Sequence, residues 1–522
     1  MDSVLFSLSS GLPRFSHSLR NLLVASFDAY FHRYPISKKY LYLRAAFKRS
    51  VLLIIIYTMK RFNLILSAVL LALGAFTASA AEKAAPKNNF KLYGFIRNYF
   101  IYDSRESVSG TGDLFYYLPK DVNMKDGVDL NDESSFRFVA LTSRLGVDVS
   151  GYSINNVHFG AKIEGDFYAG LANSSNSNAT AYFPSNNKIS GTATARLRQA
   201  YATITWKDLP MNDEQKASVA LKIGQAWHPM AADMPHLFSL EVGAPFGPFS
   251  RTPLAQMDAN LGKNWVVSAA AIWQMQYQST GPIGGSALYM KYGKTPEMYA
   301  ALTYKTKSFL IRGGVDVVSI KPRLFSSKEI PAPTEQDPDA TKTVIDKKVS
   351  ERKTSVLGYV YTQYTYKNFA VKAKTTFGQG GEHMNLMSGY AKVGENADGS
   401  WNYASLRNSS SWLSLSYGKK WQGVLFLGYV KNLGLAEAAS APLAKGDVYF
   451  CSNGFSNINQ MYRINPQIIY NIGKLNVGLE YQWTSVQYGE YDGGKLNSYG
   501  LADKDLHWVG NNRINMMVKF NF

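Results

Sequence analysis

The sequence predicts an all-β fold: a transmembrane antiparallel β-barrel of about sixteen strands, with short periplasmic turns and long extracellular loops. Three observations predict it. Apolar and polar residues alternate with period two in segment after segment. The connections between those segments alternate short and long. The last segment is amphipathic and ends on Phe522.

Alternation comes first because a strand turns successive side chains to opposite faces. Val139, Leu141, Leu145, Val147 and Val149 oppose Thr142, Arg144, Asp148 and Ser150. Val157, Phe159, Ala161, Ile163 and Phe167 oppose Lys162, Glu164 and Asp166. Phe369, Val371, Ala373 and Phe377 face away from Lys372 and Lys374. Leu475, Val477, Leu479, Tyr481 and Trp483 face away from Asn476, Glu480 and Gln482. Ile514, Met516, Val518, Phe520 and Phe522 alternate with Arg513, Asn515, Lys519 and Asn521.

The segments fall at 90–103, 136–150, 156–169, 193–206, 218–228, 253–260, 265–277, 296–305, 308–319, 354–366, 369–378, 411–419, 422–433, 461–471, 475–488 and 512–522. Long connections cover 104–135, 170–192, 229–252, 278–295, 320–353, 379–410, 434–460 and 489–511. Short ones lie near Gly151, Gly262-Lys263-Asn264, Lys367-Asn368, Lys420-Trp421 and Gly473-Lys474, and 207–217 is intermediate. A soluble sandwich also alternates, but it has no reason to keep its short connections on one side. Trp206, Trp265, Tyr366, Tyr417, Trp421 and Tyr470 stand near strand ends, as an interfacial aromatic girdle requires.

The N-terminal part has a different logic. Met59, Lys60 and Arg61 precede an apolar run, Leu64 to Phe76, and then Thr77-Ala78-Ser79-Ala80-Ala81. A basic start, an apolar core and an A-x-A stretch make 59–80 an export signal. Residues 1–58 are then either upstream sequence from a start set too early or an unusual leader, and 81–522 is the barrel. The first 80 residues hold ten Lys or Arg and two Asp or Glu, so the remainder carries a net charge near +10 rather than +18. The one cysteine, Cys451, allows no internal disulfide. Beyond residue 81 there is no run of 18 apolar residues, so no transmembrane helix is expected.

If the apolar face meets lipid, the polar face lines a lumen, and sixteen strands leave that lumen wide enough for water. The basic positions on the inward face are Arg97, Arg144, Lys162, Arg196, Arg198, Lys222, Arg312, Lys372, Lys374, Arg463, Arg513 and Lys519. The acidic ones are Asp148, Glu164, Asp166, Asp258, Asp316 and Glu480. This twofold excess of base favours anions. The expected function is passive diffusion of small hydrophilic solutes through the outer membrane. The alternative is a non-conducting barrel that acts through its loops as a structural or adhesive surface protein. Pro229, Pro235, Pro245 and Pro248 stiffen residues 229–252, which either fold into the lumen or cap the barrel outside.

Short motifs carry a family resemblance. They are Lys91-Leu92-Tyr93-Gly94-Phe95, Ser143-Arg144-Leu145-Gly146, Arg196-Leu197-Arg198-Gln199-Ala200-Tyr201, Gly224-Gln225-Ala226-Trp227 and Arg251-Thr252-Pro253, in that order. In them the chain resembles DcaP-like trimeric porins and related Bacteroidetes outer-membrane porins. The resemblance implies a homotrimer, small anionic substrates and a pore lined by Arg144, Arg196 and Arg198. The amphipathic strand ending at Phe522 separately resembles the C-terminal strand signal of bacterial outer-membrane proteins, which the barrel assembly machinery reads. Some family members carry a helical extension before the barrel, whereas here only Glu82–Asn89 precedes the first strand.

Other chemistry finds no support. His158, His228, His236, His383 and His507 are not followed by x-Ser, and no nucleophile–base set or rim carboxylate pair is legible, so no enzyme is expected. No cofactor or metal site is expected. Residues 121–133 approach an EF-hand loop, but Lys125 takes a ligand position and the glycine is displaced. Basic residues alternate along strands rather than cluster, so nucleic acid is not an expected partner; outer-membrane lipid is.

Overall fold

The computed structural model describes residues 88–110, 114–171, 189–211, 215–330, 343–451 and 456–522. The export signal and the segment before it lie outside the described residues. The barrel strands are β1 (Asn89–Asp103), β2 (split into Ser135–Val139 and Arg144–Ser150), β3 (Val157–Leu171), β4 (Ile189–Pro210), β5 (Lys216–Trp227), β6 (Arg251–Leu261), β7 (Trp265–Ile272) and β8 (Glu297–Lys305). They continue as β9 (Phe309–Ile320), β10 (Lys353–Tyr366), β11 (Phe369–Gln379), β12 (Trp401–Gly418), β13 (Trp421–Leu435), β14 (Ile458–Ile472), β15 (Leu475–Glu490) and β16 (Lys504–Asn521). Each pairs antiparallel with the next. β16 returns to β1 with Phe95 opposite Asn521 and Asp103 opposite Arg513, which closes the sheet and removes its edges.

The period-two pattern is realised face by face. Phe90, Leu145, Ile163, Phe377, Leu479 and Ile514 point outward and are exposed. Such a belt is stable only against lipid, and a closed barrel satisfies every backbone group within it. Trp265, Tyr366, Tyr417 and Trp421 are exposed at the short-turn end, and Trp421 stacks on Tyr470 with centroids 4.3 Å apart. The turns themselves need little chain. Gly473 sits at φ +56°, where a Cβ would be strained, and lets β14 reverse into β15 within two residues.

Three strands are longer than the alternation predicts: β4 runs Ile189–Pro210 rather than 193–206, and two others start early. β12 starts at Trp401 rather than near 411, and β16 at Lys504 rather than near 512. Their upper parts pair with β13 and β15. There the apolar-out pattern fades, because above the bilayer the outer face meets water. A further strand, Gly389–Glu395, extends the sheet beyond the rim between β12 and Val448–Phe450.

Candidate functional site

The connection between β5 and β6, residues 228–250, folds into the lumen and leans on one wall. Lys374 on β11 donates through Nζ to the carbonyls of Met230 (2.6 Å) and Asp233 (2.9 Å), and Lys372 to that of Met234 (3.1 Å). Arg312 on β9 pairs with the Asp233 carboxylate. The His236 amide donates to Ser414 Oγ on β12, and its Nδ1 shares a 2.8 Å hydrogen bond with Ser416 Oγ. Glu241 reaches Arg513 on β16 at 3.1 Å and Arg463 on β14 at 3.5 Å. Tyr99 on β1 donates its hydroxyl to the Phe238 carbonyl. Aromatic side chains of the loop fill glycine gaps in the wall: Phe246 lies over Gly428 and Phe238 over Gly478.

This places the two halves of the barrel in different environments. On the β9–β16 side, Arg463, Arg513, Lys374 and Glu480 point inward as the alternation predicts, but the loop covers them almost completely. They anchor the loop. A hairpin of the first long connection, Ser107–Gly110 with Phe115–Pro119, adds to the cover: the Tyr116 carbonyl accepts from Arg513, and the Tyr117 carbonyl from Arg463. On the β1–β6 side the cover is partial: Arg198, Glu164, Asp166 and Arg251 are buried too, while other charged groups keep surface. The side chains of Asp148, Lys162 and Arg144 keep 39%, 23% and 21% of their surface.

The β1–β6 wall is an arginine cluster built over two carboxylates. Arg196 grips Asp166 with two bonds, 2.8 and 2.9 Å. Alternation turns Arg196 and Arg198 to the same side, and the register slips by one residue between Leu197 and Gln199, a bulge that turns Gln199 inward as well, onto Glu164 at 3.2 Å. Arg198 spans Glu164 (2.9 Å) and Asp166 (2.8 Å). Arg144 approaches Glu164 at 3.7 Å and stacks over Phe95. Arg97 stacks over Phe95 and Tyr99 and donates to Thr142 Oγ1. Arg251, which opens β6, stacks over Trp227 at 5.0 Å and lies within electrostatic reach of Arg144, Arg196 and Arg198. Lys519 stands near Arg97 and Arg144. Arginine and lysine therefore outnumber carboxylate here, and flat aromatic faces hold the guanidinium groups apart.

Lower on this wall, Lys162 pairs with Asp148 at 2.9 Å and donates to the Tyr93 hydroxyl, which donates to Glu164. Gly146 opposes Tyr93, and the Tyr93 ring fills the place of its missing Cβ. Lys222 lies over Tyr201, with Asp258 close by. Sequence reasoning thus named most of this cluster. It missed Arg251, which follows a proline-rich stretch and gives no alternation of its own, and it missed Asp233 and Glu241, the loop acids that draw Arg312, Arg463 and Arg513 away from water.

Two groups outside the strands show what the connections do. Burial raises the Asp129 carboxyl, but the amides of Asn123 and Asn131 and the guanidinium of Arg105 outweigh it and hold the group below the usual carboxylate range. Arg105 also approaches Asp132 at 3.6 Å. Burial, with Lys372 nearby, pushes the His236 imidazole down to about 4.

The barrel can be compared with known proteins. No protein-family model matches the chain, and neither does any curated protein. Among solved structures, the outer membrane channel DcaP of Acinetobacter baumannii matches at 17% identity, over 85% of this chain and 100% of that one, with TM-score 0.51. OmpT, an outer membrane protein of Vibrio cholerae, matches at 10% identity over 85% and 100%, with TM-score 0.44. An anion-selective porin from Comamonas acidovorans matches at 9% identity over 84% and 100%, with TM-score 0.44. A closed barrel with an apolar belt, an aromatic girdle and an infolded loop belongs in the outer membrane of a Gram-negative cell. The chain has the sixteen-stranded fold of an outer-membrane porin, in the form seen in the DcaP channel.

Proposed function

We propose that this chain is a porin that lets small hydrophilic solutes, preferentially anions, diffuse across the outer membrane, and that it works as a homotrimer. The observation that carries this is the division of the lumen. The infolded loop neutralises the β9–β16 wall, whereas on the other wall Arg97, Arg144, Arg196, Arg198 and Arg251 gather, among the described residues, around the two acids Glu164 and Asp166, and Arg144 and Arg196 keep 21% and 15% of their side-chain surface. Fixed cations along a narrow aqueous path lower the barrier for anions and raise it for cations. The protein whose fold it shares is described as an outer membrane channel, which agrees with this reading. The strand ending at Phe522 is, in the same proposal, the segment that the assembly machinery reads.

Single-channel recording in a planar bilayer across a salt gradient tests it. Stepwise conductance with an anion-selective reversal potential, lost in Arg196→Ala/Arg198→Ala, supports the proposal. Cation selectivity keeps the channel and refutes the basic wall. A second reading, a closed barrel acting through its loops, is favoured by how fully residues 228–250 and the Phe115–Pro119 hairpin cover the β9–β16 wall. A folded barrel without conductance would establish it.

A further inference from the structure

Four ionisable side chains meet where the infolded loop leaves the wall. His228 follows β5, Glu297 opens β8, Asp316 lies on β9, and His383 sits in the 3-10 turn Glu382–Met384 after β11. None is more than 2% exposed. Nε2 of His228 is 2.5 Å from Glu297 Oε1, and Nε2 of His383 is 3.1 Å from the same oxygen. Each of these nitrogens is 3.9 Å from an Asp316 oxygen. A tetrahedral ion with bonds of about 2.0–2.2 Å holds its ligand atoms roughly 3.3–3.6 Å apart. The observed spacings bracket that value.

The polar accounting of the cluster is incomplete without a further partner. Glu297 Oε2, Asp316 Oδ1 and His383 Nδ1 are buried with no hydrogen-bond partner, and His383 Nε2 has only its contact with Glu297 Oε1. Glu297 and Asp316 have only imidazoles as ion-pair partners among the described residues, since the nearby Lys353 is engaged by Glu382 at 3.4 Å. Two buried carboxylates side by side, beside unpartnered imidazole nitrogen, are costly as they stand. One divalent cation bound through His383 Nε2 would pair both carboxylates; a histidine gives a single ion only one of its ring nitrogens.

We propose that His228, Glu297 and His383, with Asp316 beside them, form a binding site for a divalent first-row transition ion, with zinc as the reference ion. Two imidazoles and two carboxylates are a borderline-soft nitrogen and oxygen set that suits zinc and its neighbours rather than calcium or magnesium, which take oxygen alone. The site is structural, because it has no open approach. It pins the root of the loop: the His228 amide donates to the Ser250 carbonyl (3.0 Å), and the Phe249 amide donates to the Met384 carbonyl (2.8 Å), so both loop ends and the His383 turn are already tied together. One feature opposes the ion. The Met230 amide donates to His228 Nδ1 at 3.1 Å, which leaves the proton on Nε2. Metal at Nε2 displaces that proton, widens the His228–Glu297 contact and turns the Met230 amide away.

The full folded protein, refolded with zinc and then dialysed, tests the site by metal analysis and thermal unfolding. The expected result is one zinc retained per chain and a higher unfolding temperature. Both should be lost in His383→Ala and in the near-isosteric Glu297→Gln. Two variants are expected to keep the zinc: His507→Ala, which breaks the rim group Asp121, Glu490 and His507, and Cys451→Ser, which removes the one thiol. Absence of retained zinc overturns the proposal, and so does zinc kept by both His383→Ala and Glu297→Gln. If those variants fail to fold, cobalt in the unaltered protein decides: intense tetrahedral visible bands support the site, and their absence overturns it.

Discussion

Phe246 occupies the space that a side chain on residue 428 would need: a Cβ built on Gly428 would lie 2.6 Å from both Cγ and Cδ1 of the ring. Gly428 is on β13, on the lumen side, and Phe246 is on the infolded loop. Gly428→Val therefore pushes the loop off its wall. Overpacking of this kind costs about 1–3 kcal/mol, here taken from loop packing rather than from the barrel ladder. The expected outcome is a larger single-channel conductance and a lower unfolding temperature. Unchanged conductance in a folded Gly428→Val barrel would mean that this contact does not set the pore size.

The two walls predict opposite mutant behaviour. Arg463 is fully buried, and its loss removes bonds to Glu241, Thr484 and the Ala244 carbonyl. Breaking a buried charge pair costs about 3–5 kcal/mol; Arg513 still holds Glu241, so Arg463→Ala should fall near or below the lower figure. Its reversal potential should stay close to that of the unaltered channel. Arg196→Ala, at a side chain that keeps 15% of its surface, leaves Asp166 less neutralised on the other wall, and its reversal potential should move toward cations. Denaturation midpoints together with reversal potentials check both halves.

Loop packing should weaken in acid. The His236 imidazole is held at about 4 by burial, with Lys372 adding to the effect, whereas a solvated imidazole titrates near 6.5. A released loop therefore takes up a proton below about pH 6.5 that the packed loop refuses until about pH 4. The sign follows: packing is strongest above about pH 6.5 and weakens as pH falls through that window. Current noise and mean conductance should rise between pH 7 and pH 4.5. His236→Gln cannot charge, so its pH response should be flatter; an identical response would assign the effect to another group.

The barrel seam makes a fourth prediction. The Phe522 amide donates to the Gly94 carbonyl at 3.1 Å, and the Phe522 ring comes within 2.5 Å of where a Gly94 Cβ would stand. Gly94→Leu should dislodge the terminal ring and lower the yield of heat-resistant barrel in the outer membrane. Phe522→Ala should lower it too, and the double variant should be little worse than Gly94→Leu, whose Cβ also meets the Arg144 carbonyl at 2.5 Å. A fully additive double variant would show that the two residues do not act through this contact.

The sequence by itself determined the barrel. Period two is a property of the extended chain, so Ile163 against Glu164, or Ile514 against Arg513, was legible as outward against inward without any knowledge of neighbours. Strand order followed as well, because short turns leave adjacent antiparallel pairing as the simple solution. The arginine cluster was mostly legible for the same reason. The tertiary structure alone decided what each inward residue faces. Arg196 and Arg463 read alike as alternating bases, yet one lies on the open wall and the other under the loop, because Glu241 and Asp233 arrive from a segment whose path no periodicity encodes. His228, Glu297, Asp316 and His383 had no spacing to recognise either. They lie in separate elements, and only the closing of the barrel and the infolding of one loop bring them together.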